Sequence, residues 1–369
     1  MFLRAVIPLA GLAATAAHAD NVTINVGAGG QYQTLTQAVA VANADPNNVY
    51  TIVLAPDTYL NDFPDAITSP MTIEGSDPRN LAVLQGTVPL PNEKGIILTV
   101  SSLTLRNLEI TGAFIDDSLG GNGAALRDQN PENTPAAVVL DNVYVHDNQA
   151  GVQQGDDIAE TVTISNSSFV NNGNPDLCCF THGVYIDEAA SRTVMSSLFC
   201  GQLIGHDIKS RAMSTMVSGS QIYSGEGAPA TTSCRVGNTS FDIDMPNGGV
   251  GVVSNNTIVQ GPTAQNHKMI NYGEEGLVYD TNSLTVQTNS FISTTNSIAI
   301  EDPPCVPVNV AADNTFTGVS AVVDPAQCEV STDPQPPPQP PAPAVTNPPP
   351  KPSPPPPPPH HQRHHAGSG

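Results

Sequence analysis

The chain has 369 residues and a formal net charge of −22, with 12 lysines and arginines against 34 aspartates and glutamates. So acidic a composition lacks the basic stripe of a nucleic-acid-binding protein and excludes that class. Tryptophan is absent, so tyrosine and phenylalanine must supply any aromatic surface on which a ligand could stack.

The first 19 residues have the pattern of an export signal. Arg4 precedes the apolar run 5–17, and Ala17-His18-Ala19 offers a small-residue cleavage site. The run is too short to span a bilayer, and no later stretch approaches 18 apolar residues. We therefore expect a secreted protein without a membrane span. It would be periplasmic or extracellular, and either released or associated with the cell surface.

A helix-period pattern occurs once near the start, at residues 32–43. Elsewhere, short alternating runs rich in Val, Ile and Thr are bounded by Gly, Asn, Asp and Pro, which is typical of strands. A stack of strands has an open end that must be covered, and an amphipathic helix can cover it. The pattern predicts an N-terminal capping helix followed by strands.

A four-residue phrase recurs eight times, beginning with a small polar residue and ending on a large apolar one. Its first residues are Asn107, Asn142, Asn166, Ser196, Gly219, Asn255, Thr288 and Asp313. A repeat that varies in length but stays above about 22 residues indicates stacked coils that carry loops of different size. Amides and hydroxyls at the same turn of successive coils would hydrogen-bond along the stack.

These phrases, together with the opening block 26–39 and the runs 52–59 and 71–75, resemble the right-handed parallel β-helix superfamily, the pectin-lyase-like fold. The resemblance covers roughly residues 20–328. It implies an all-β protein, a right-handed parallel β-helix solenoid over residues 20–332. It nominates no catalytic residue, because this fold carries lyases, hydrolases, esterases, epimerases and binding proteins.

A second column aligns five segments: 182–187, 206–211, 241–246, 268–273 and 298–303. Alternate side chains of a strand point to opposite faces, so one set should fill the interior: Val184, Ile208, Ile243, Ile270 and Ile300. The other set should line the outer face: Tyr185, Lys209, Asp244, Asn271 and Glu301. Four charged residues flank that face: Asp187, Asp207, Arg211 and Asp242.

The outer column is the candidate site. Only nine lysines and arginines lie between residues 20 and 332, and Lys209 and Arg211 share one strand face. They predict a polysaccharide lyase in which Arg211 neutralises a uronate carboxylate and Lys209 or His206 removes the C5 proton. A polysaccharide or cell-wall glycan is the expected partner. The candidate substrate-binding residues are His182, Tyr185, Asp207, Lys268, Asn271 and Tyr272.

Other interpretations stay open. Asp242 and Asp244, about 6.5–7 Å apart by strand rise, would suit glycoside hydrolysis or Ca²⁺, the one cofactor that the pattern suggests. Alternatively, Lys209 and Arg211 only pair with aspartates on neighbouring coils, and the histidines are satisfied by backbone groups at turns. The protein would then be a non-catalytic cell-surface or matrix protein.

The C-terminal residues 333–369 are nearly all Pro, Ala, Gln and Asn, and they end in the His-rich segment 360–365. Such a composition favours extended polyproline II conformations and cannot build a core. We expect a disordered spacer or tail that contacts a cell wall.

Six cysteines in an exported chain predict disulfides. Cys305 and Cys328 lie about one coil apart, and a disulfide between them would close the last coil. One of the adjacent Cys178 and Cys179 could pair with Cys200 and the other with Cys234, but the sequence leaves the connectivity of these four cysteines open.

Overall fold

The computed structural model describes residues 19–177, 180–230, 233–301, 306 and 308–324. These residues form one α-helix, one turn of 3-10 helix (Asp117–Leu119) and 28 strands. The helix is α1 (Leu35–Ala44). The strands are β1 (Asn21–Val26), β2 (Val49–Leu54), β3 (Thr58–Leu60), β4 (Met71–Gly75), β5 (Ala82–Gln85), β6 (Gly95–Thr99), β7 (Leu103–Thr111), β8 (Ala124–Asp128), β9 (Ala137–His146), β10 (Ala150–Gln154), β11 (Asp157–Ser165), β12 (Ser168–Val170), β13 (Val184–Ile186), β14 (Ala189–Met195), β15 (Leu198–Cys200), β16 (Ile208–Ser210), β17 (Ser214–Ser218), β18 (Gln221–Ser224), β19 (Ile243–Met245), β20 (Val250–Ser254), β21 (Thr257–Gln260), β22 (Lys268–Tyr272), β23 (Ser283–Gln287), β24 (Ser290–Ser293), β25 (Ile298–Glu301), β26 (Val308–Val310), β27 (Thr315–Thr317) and β28 (Ala321–Val323).

The strands pair in parallel and form three ladders. Ladder 1 contains β1, β2, β4, β7, β9, β11, β14, β17, β20, β23 and β26. Ladder 2 contains β3, β5, β7, β9, β12, β15, β18, β21, β24 and β27, with β7 and β9 running from ladder 1 into ladder 2. Ladder 3 contains β6, β8, β10, β13, β16, β19, β22, β25 and β28. From β14 onward each coil supplies one strand to each ladder in turn, which confirms the predicted parallel β-helix.

The recurring phrase marks the turn between ladders 1 and 2. Its first residue adopts the left-handed conformation in seven of the eight copies, with φ between 50° and 60°. Asparagine and glycine tolerate this conformation best. Thr288, a β-branched exception, is held by Asp313, whose carboxylate accepts hydrogen bonds from the Thr288 N–H at 2.9 Å and hydroxyl at 2.8 Å.

The second residue of the phrase forms a buried hydrogen-bond ladder. In six successive steps its side-chain oxygen accepts the N–H of the equivalent residue one coil earlier, at 2.9–3.2 Å; the acceptors are Ser167, Ser197, Ser220, Asn256, Asn289 and Asn314. These side chains replace the carbonyl partners that the backbone lacks where it turns between ladders. The predicted stacking of amides and hydroxyls is confirmed.

The core lies inside the coils. The five aliphatic residues predicted to face inward are aligned strand by strand in ladder 3, and each is 0% exposed: Val184, Ile208, Ile243, Ile270 and Ile300. Burial of each such side chain contributes about 1.5–3 kcal/mol. Ladder 2 stacks aromatic rings in the same way, with the Phe169 and Phe199 centroids 4.9 Å apart.

The predicted capping helix is present as α1. It begins later than the pattern suggested because Thr34 is its N-cap, with the Thr34 hydroxyl accepting the Gln37 N–H at 3.2 Å and the Gln37 side chain accepting the Thr34 N–H at 3.3 Å. Its apolar face, which includes Leu35 and Val39, is fully buried at the N-terminal end of the core.

Several predictions fall outside the described residues. They are the export signal up to residue 18, the tail 333–369, and the cysteines Cys178, Cys179, Cys305 and Cys328. Within the part of the chain that the structure describes, no helix is long and apolar enough to cross a membrane.

The structure decides the connectivity that the sequence left open: Cys200 and Cys234 are bonded to each other, with Cα atoms 5.5 Å apart, and not to Cys178 and Cys179. Cys200 ends β15 and packs beside Val170 and Tyr223. Cys234, in the irregular segment 233–242 before β19, packs against the same cluster. The spacing of the cysteines in the sequence does not distinguish this bond from one through the adjacent pair.

The polar ladder should be a major source of stability. We expect Asn289→Ala to lower the free energy of unfolding by about 1–3 kcal/mol, because it leaves the buried Asn256 N–H without an acceptor. Asn309→Ala, at an exposed position of β26, should change it by less than about 0.5 kcal/mol. Urea denaturation of both variants measures the difference, and equal effects would contradict a special role for the ladder.

Candidate functional site

A cleft of about 310 Å³ lies on the outer face of ladder 3. It brings together four of the predicted site residues. The lining residues are Asn122, Gln153, Phe180, His182, Tyr185, Lys209 and Arg211. The predicted outer column is confirmed in register: Tyr185 pairs with Lys209, Lys209 with Asp244, Asp244 with Asn271, and Asn271 with Glu301.

Two cations from β16 and the residue that follows it dominate the cleft. Lys209 Nζ lies 3.2 Å from Asp244 Oδ2 and 3.2 Å from Glu275 Oε1. Arg211 lies two residues on, facing the same way, with NH2 2.5 Å from Glu275 Oε2 and NH1 3.5 Å from Asp187 Oδ1. The ammonium group of Lys209 and the guanidinium of Arg211 therefore hold one carboxylate between them.

Tyr185 connects this pair to the rest of the cleft. Its hydroxyl contacts Arg211 NH1, and the guanidinium carbon lies 5.5 Å from its ring centre. Burial, followed by the charge on Asp187, raises the pKa of Tyr185 although Arg211 opposes the shift. At neutral pH Tyr185 is a proton donor beside a cation.

The two histidines belong to a stack of rings. His182 and His206 lie 4.9 Å apart, and His206 and Phe241 lie 5.4 Å apart. Nδ1 of His182 accepts the His206 N–H at 3.1 Å, and Nδ1 of His206 accepts the Phe241 N–H at 3.2 Å. Backbone N–H groups therefore engage one ring nitrogen of each histidine.

This geometry does not support His206 as a base. Its Nδ1 is engaged as an acceptor, so the neutral ring carries its proton on Nε2, which lies 3.3 Å from Asp244 Oδ2. Neither nitrogen offers a free lone pair. Burial also lowers the pKa of His206 to about 3, with help from the charge on Lys209, and lowers the pKa of His182 well below its usual value.

Asp207 and Asp242 do not face the cleft, contrary to prediction. They are 1% and 0% exposed, and Asp242 Oδ2 accepts a hydrogen bond at 3.4 Å from Gln260, itself fully buried. Each aspartate lies at a bend one residue before its strand begins, where the alternation of side chains does not hold. Burial raises the pKa of both. Asp242 and Asp244 are therefore not a paired set of carboxylates on one surface.

Three predicted substrate-binding residues are engaged elsewhere. Tyr272 is fully buried and donates to the Gly249 carbonyl at 2.6 Å. Asn271, also fully buried, donates to Asp244 at 2.6 Å and positions that carboxylate instead of a ligand. Lys268 pairs with Glu301 rather than joining Lys209 and Arg211.

Three residues that line the cleft were not predicted from the sequence: Asn122, Gln153 and Phe180. Gln153 pairs with Tyr185 in register, so extending the column by one coil toward the N-terminus would have found it. Asn122 and Phe180 come from irregular segments that no periodic pattern marks.

Arg127 continues the same outer column. It pairs with Gln153 in register, is 9% exposed, and donates to the Asn122 carbonyl at 3.0 Å. Burial lowers its pKa to about 10. It therefore adds positive charge behind the cleft wall.

The described residues contain no group of three or more His, Cys, Asp or Glu side chains that could hold a metal ion. Asp244, one of the two carboxylates for which Ca²⁺ was considered, is instead engaged by Lys209 and Asn271. Calcium dependence stays a prediction from the sequence.

The buried His206 should make stability depend on pH. An unfolded histidine has a pKa of about 6.5. Between that pH and about pH 3, His206 is protonated in the unfolded chain but not in the folded protein. The free energy of unfolding should therefore fall by up to about 1.4 kcal/mol per pH unit across this window. His206→Asn, whose Oδ1 can accept the Phe241 N–H, should show a shallower slope in urea unfolding between these limits. Parallel slopes would contradict the prediction.

No protein-family model and no curated protein matches the chain. Among solved structures, it is similar to an alginate lyase from Paenibacillus sp. (15% identity, TM-score 0.48, covering 82% of this chain and 99% of that one). It is also similar to a pectin methylesterase from Aspergillus niger (14%, 0.41, 82% and 90%) and to ORF18 of Geobacillus virus E2 (12%, 0.47, 82% and 60%). At these values the similarities carry no argument about activity, and the fold rests on the strand topology of the chain itself.

Proposed function

We propose that the cleft on ladder 3 binds an acidic polysaccharide, with Lys209 and Arg211 as the receptors of a uronate carboxylate. One observation carries the proposal: these two cations project from the same face into the cleft and already hold a carboxylate oxygen each. Charge-assisted hydrogen bonds of this kind give both affinity and orientation.

The walls of the cleft suit a sugar. Tyr185 and His182 present rings whose centroids are 5.3 Å apart, and Gln153 and Asn122 add amide groups that can donate and accept hydrogen bonds. The Cys200–Cys234 disulfide supports an oxidising location, where cell-wall glycans are found. A secreted glycan-binding protein is consistent with all of these features.

Binding should depend on the cationic pair. We expect the double variant Lys209→Met, Arg211→Met to lose affinity for polygalacturonate and alginate by about tenfold or more, since charged hydrogen bonds contribute about 1.5–3 kcal/mol each. Arg106→Gln is the matched control, because Arg106 also pairs with two carboxylates but lies on ladder 1. Isothermal titration measures both, and equal losses would contradict the assignment of the site.

The contact between Tyr185 and Arg211 favours a second, catalytic function for the same cleft: β-elimination. Lys209 and Arg211 would neutralise the carboxylate and so stabilise the negative charge that develops on it. Tyr185 as phenolate would take the C5 proton; the C5–H electron pair would form the C4=C5 double bond while the C4–O4 bond breaks. The same phenol would then return its proton to the leaving oxygen.

This mechanism predicts a steep pH dependence. Because the pKa of Tyr185 is raised above 10, the phenolate fraction should increase about tenfold per pH unit between about pH 7 and pH 10, and kcat/KM should rise with it. Tyr185→Phe should abolish the ultraviolet absorbance of unsaturated uronate while binding persists. If polyuronates bind but no absorbance develops at any pH, the protein is a binding protein without lyase activity.

A further inference from the structure

The carboxylate between Lys209 and Arg211 comes from the protein itself. Glu275 Oε1 lies 3.2 Å from Lys209 Nζ, and Oε2 lies 2.5 Å from Arg211 NH2. The Glu275 side chain is 44% exposed, against 11% and 22% for the two cations. It therefore reaches the pair from the solvent side of the cleft, which is the side from which a ligand would enter.

The backbone of Glu275 is fixed, so its side chain can leave without a loop movement. Its N–H donates to the Pro246 carbonyl at 2.9 Å, and Gly276 donates to the Gly273 carbonyl at 3.0 Å. Gly273 and Gly276 have φ of 79° and 105°, which suits glycine in a tight turn. A change of rotamer is enough to withdraw the carboxylate from the cations.

The cations keep their positions without Glu275. Lys209 retains Asp244 at 3.2 Å, and Arg211 retains Asp187 at 3.5 Å and the Tyr185 hydroxyl. Hydrogen bonds from both cations also lower the pKa of Glu275, although its partial burial opposes the shift. At neutral pH it is a carboxylate anion, the same chemical group that a uronate would present.

We propose that Lys209 and Arg211 form a carboxylate subsite which Glu275 occupies in the free protein, and that a uronate binds by displacing it. This inference rests on the proposed binding of acidic polysaccharide. The apparent affinity of any competitor is its intrinsic affinity multiplied by the fraction of molecules in which the tethered carboxylate has left the cations. The tethered carboxylate therefore weakens binding of every competitor. Because this penalty is the same for every competing carboxylate, only ligands that gain additional contacts along the cleft, such as polyuronates, keep a measurable affinity.

Variants that remove the Glu275 carboxylate test whether it competes with a uronate, with alginate and polygalacturonate oligosaccharides as probes. Glu275→Gln and Glu275→Ala should each increase affinity about tenfold in titration calorimetry, and should make monomeric galacturonate binding measurable. Glu74→Gln is the matched control, because it removes a carboxylate from another guanidinium, that of Arg106, which lies on ladder 1 outside the cleft. It should change affinity less than about twofold, and thermal melts verify that all variants are folded.

The outcomes separate the two proposals. If the wild type binds polyuronates but the Glu275 variants bind equally or more weakly, displacement of Glu275 is refuted and the glycan-binding function stands. Equal gains in Glu275→Gln and Glu74→Gln also refute it, because they indicate a general charge effect. If no variant binds any polyuronate, the proposed function fails, and the displacement of Glu275 fails with it.

Discussion

From β9 to β27, each coil of this protein is held in register on the next by a buried serine or asparagine at the turn between ladders 1 and 2. The six consecutive side-chain hydrogen bonds span the coils from β9 to β27. A slip of one residue would leave these acceptors opposite the wrong donors and would turn every inward aliphatic residue outward. The alignment of the outer residues of ladder 3, and with it the candidate site, depends on this register.

The contacts between charged side chains in the candidate site follow from that alignment. Asp244 stacks directly above Lys209 and Asn271 directly above Asp244, so a buried carboxylate is held between a cation and an amide. Burial raises the pKa of Asp244, and Lys209 and Asn271 oppose that shift. A buried charge is tolerated only when it is paired and hydrogen-bonded. The same pairing positions the ammonium group of Lys209 at the edge of the cleft.

A protein of formal charge −22 is an unexpected receptor for a polyanion, but the formal count overstates the negative charge. Burial raises the pKa of Asp207 and Asp242 well above their usual value. Burial and the neighbouring Glu160 raise the pKa of Asp128 to about 9. Burial therefore favours the neutral form of these interior carboxyl groups. What a ligand meets is the local field, and in the cleft this field is set by Lys209, Arg211 and the acids around them.

The sequence by itself determined the parallel β-helix, the capping helix, the inward and outward sets of ladder 3, and the convergence of Tyr185, Lys209 and Arg211. These features follow from local periodicity, which repeats in every coil and is visible without coordinates. Only the tertiary structure decided that Asp242 turns inward, because it lies at a bend where alternation ends. Likewise, only the fold revealed the Cys200–Cys234 bond and the contact of Glu275 with Lys209, 66 residues away. Such contacts depend on how irregular segments fold back over a regular stack, and no periodic pattern encodes that path.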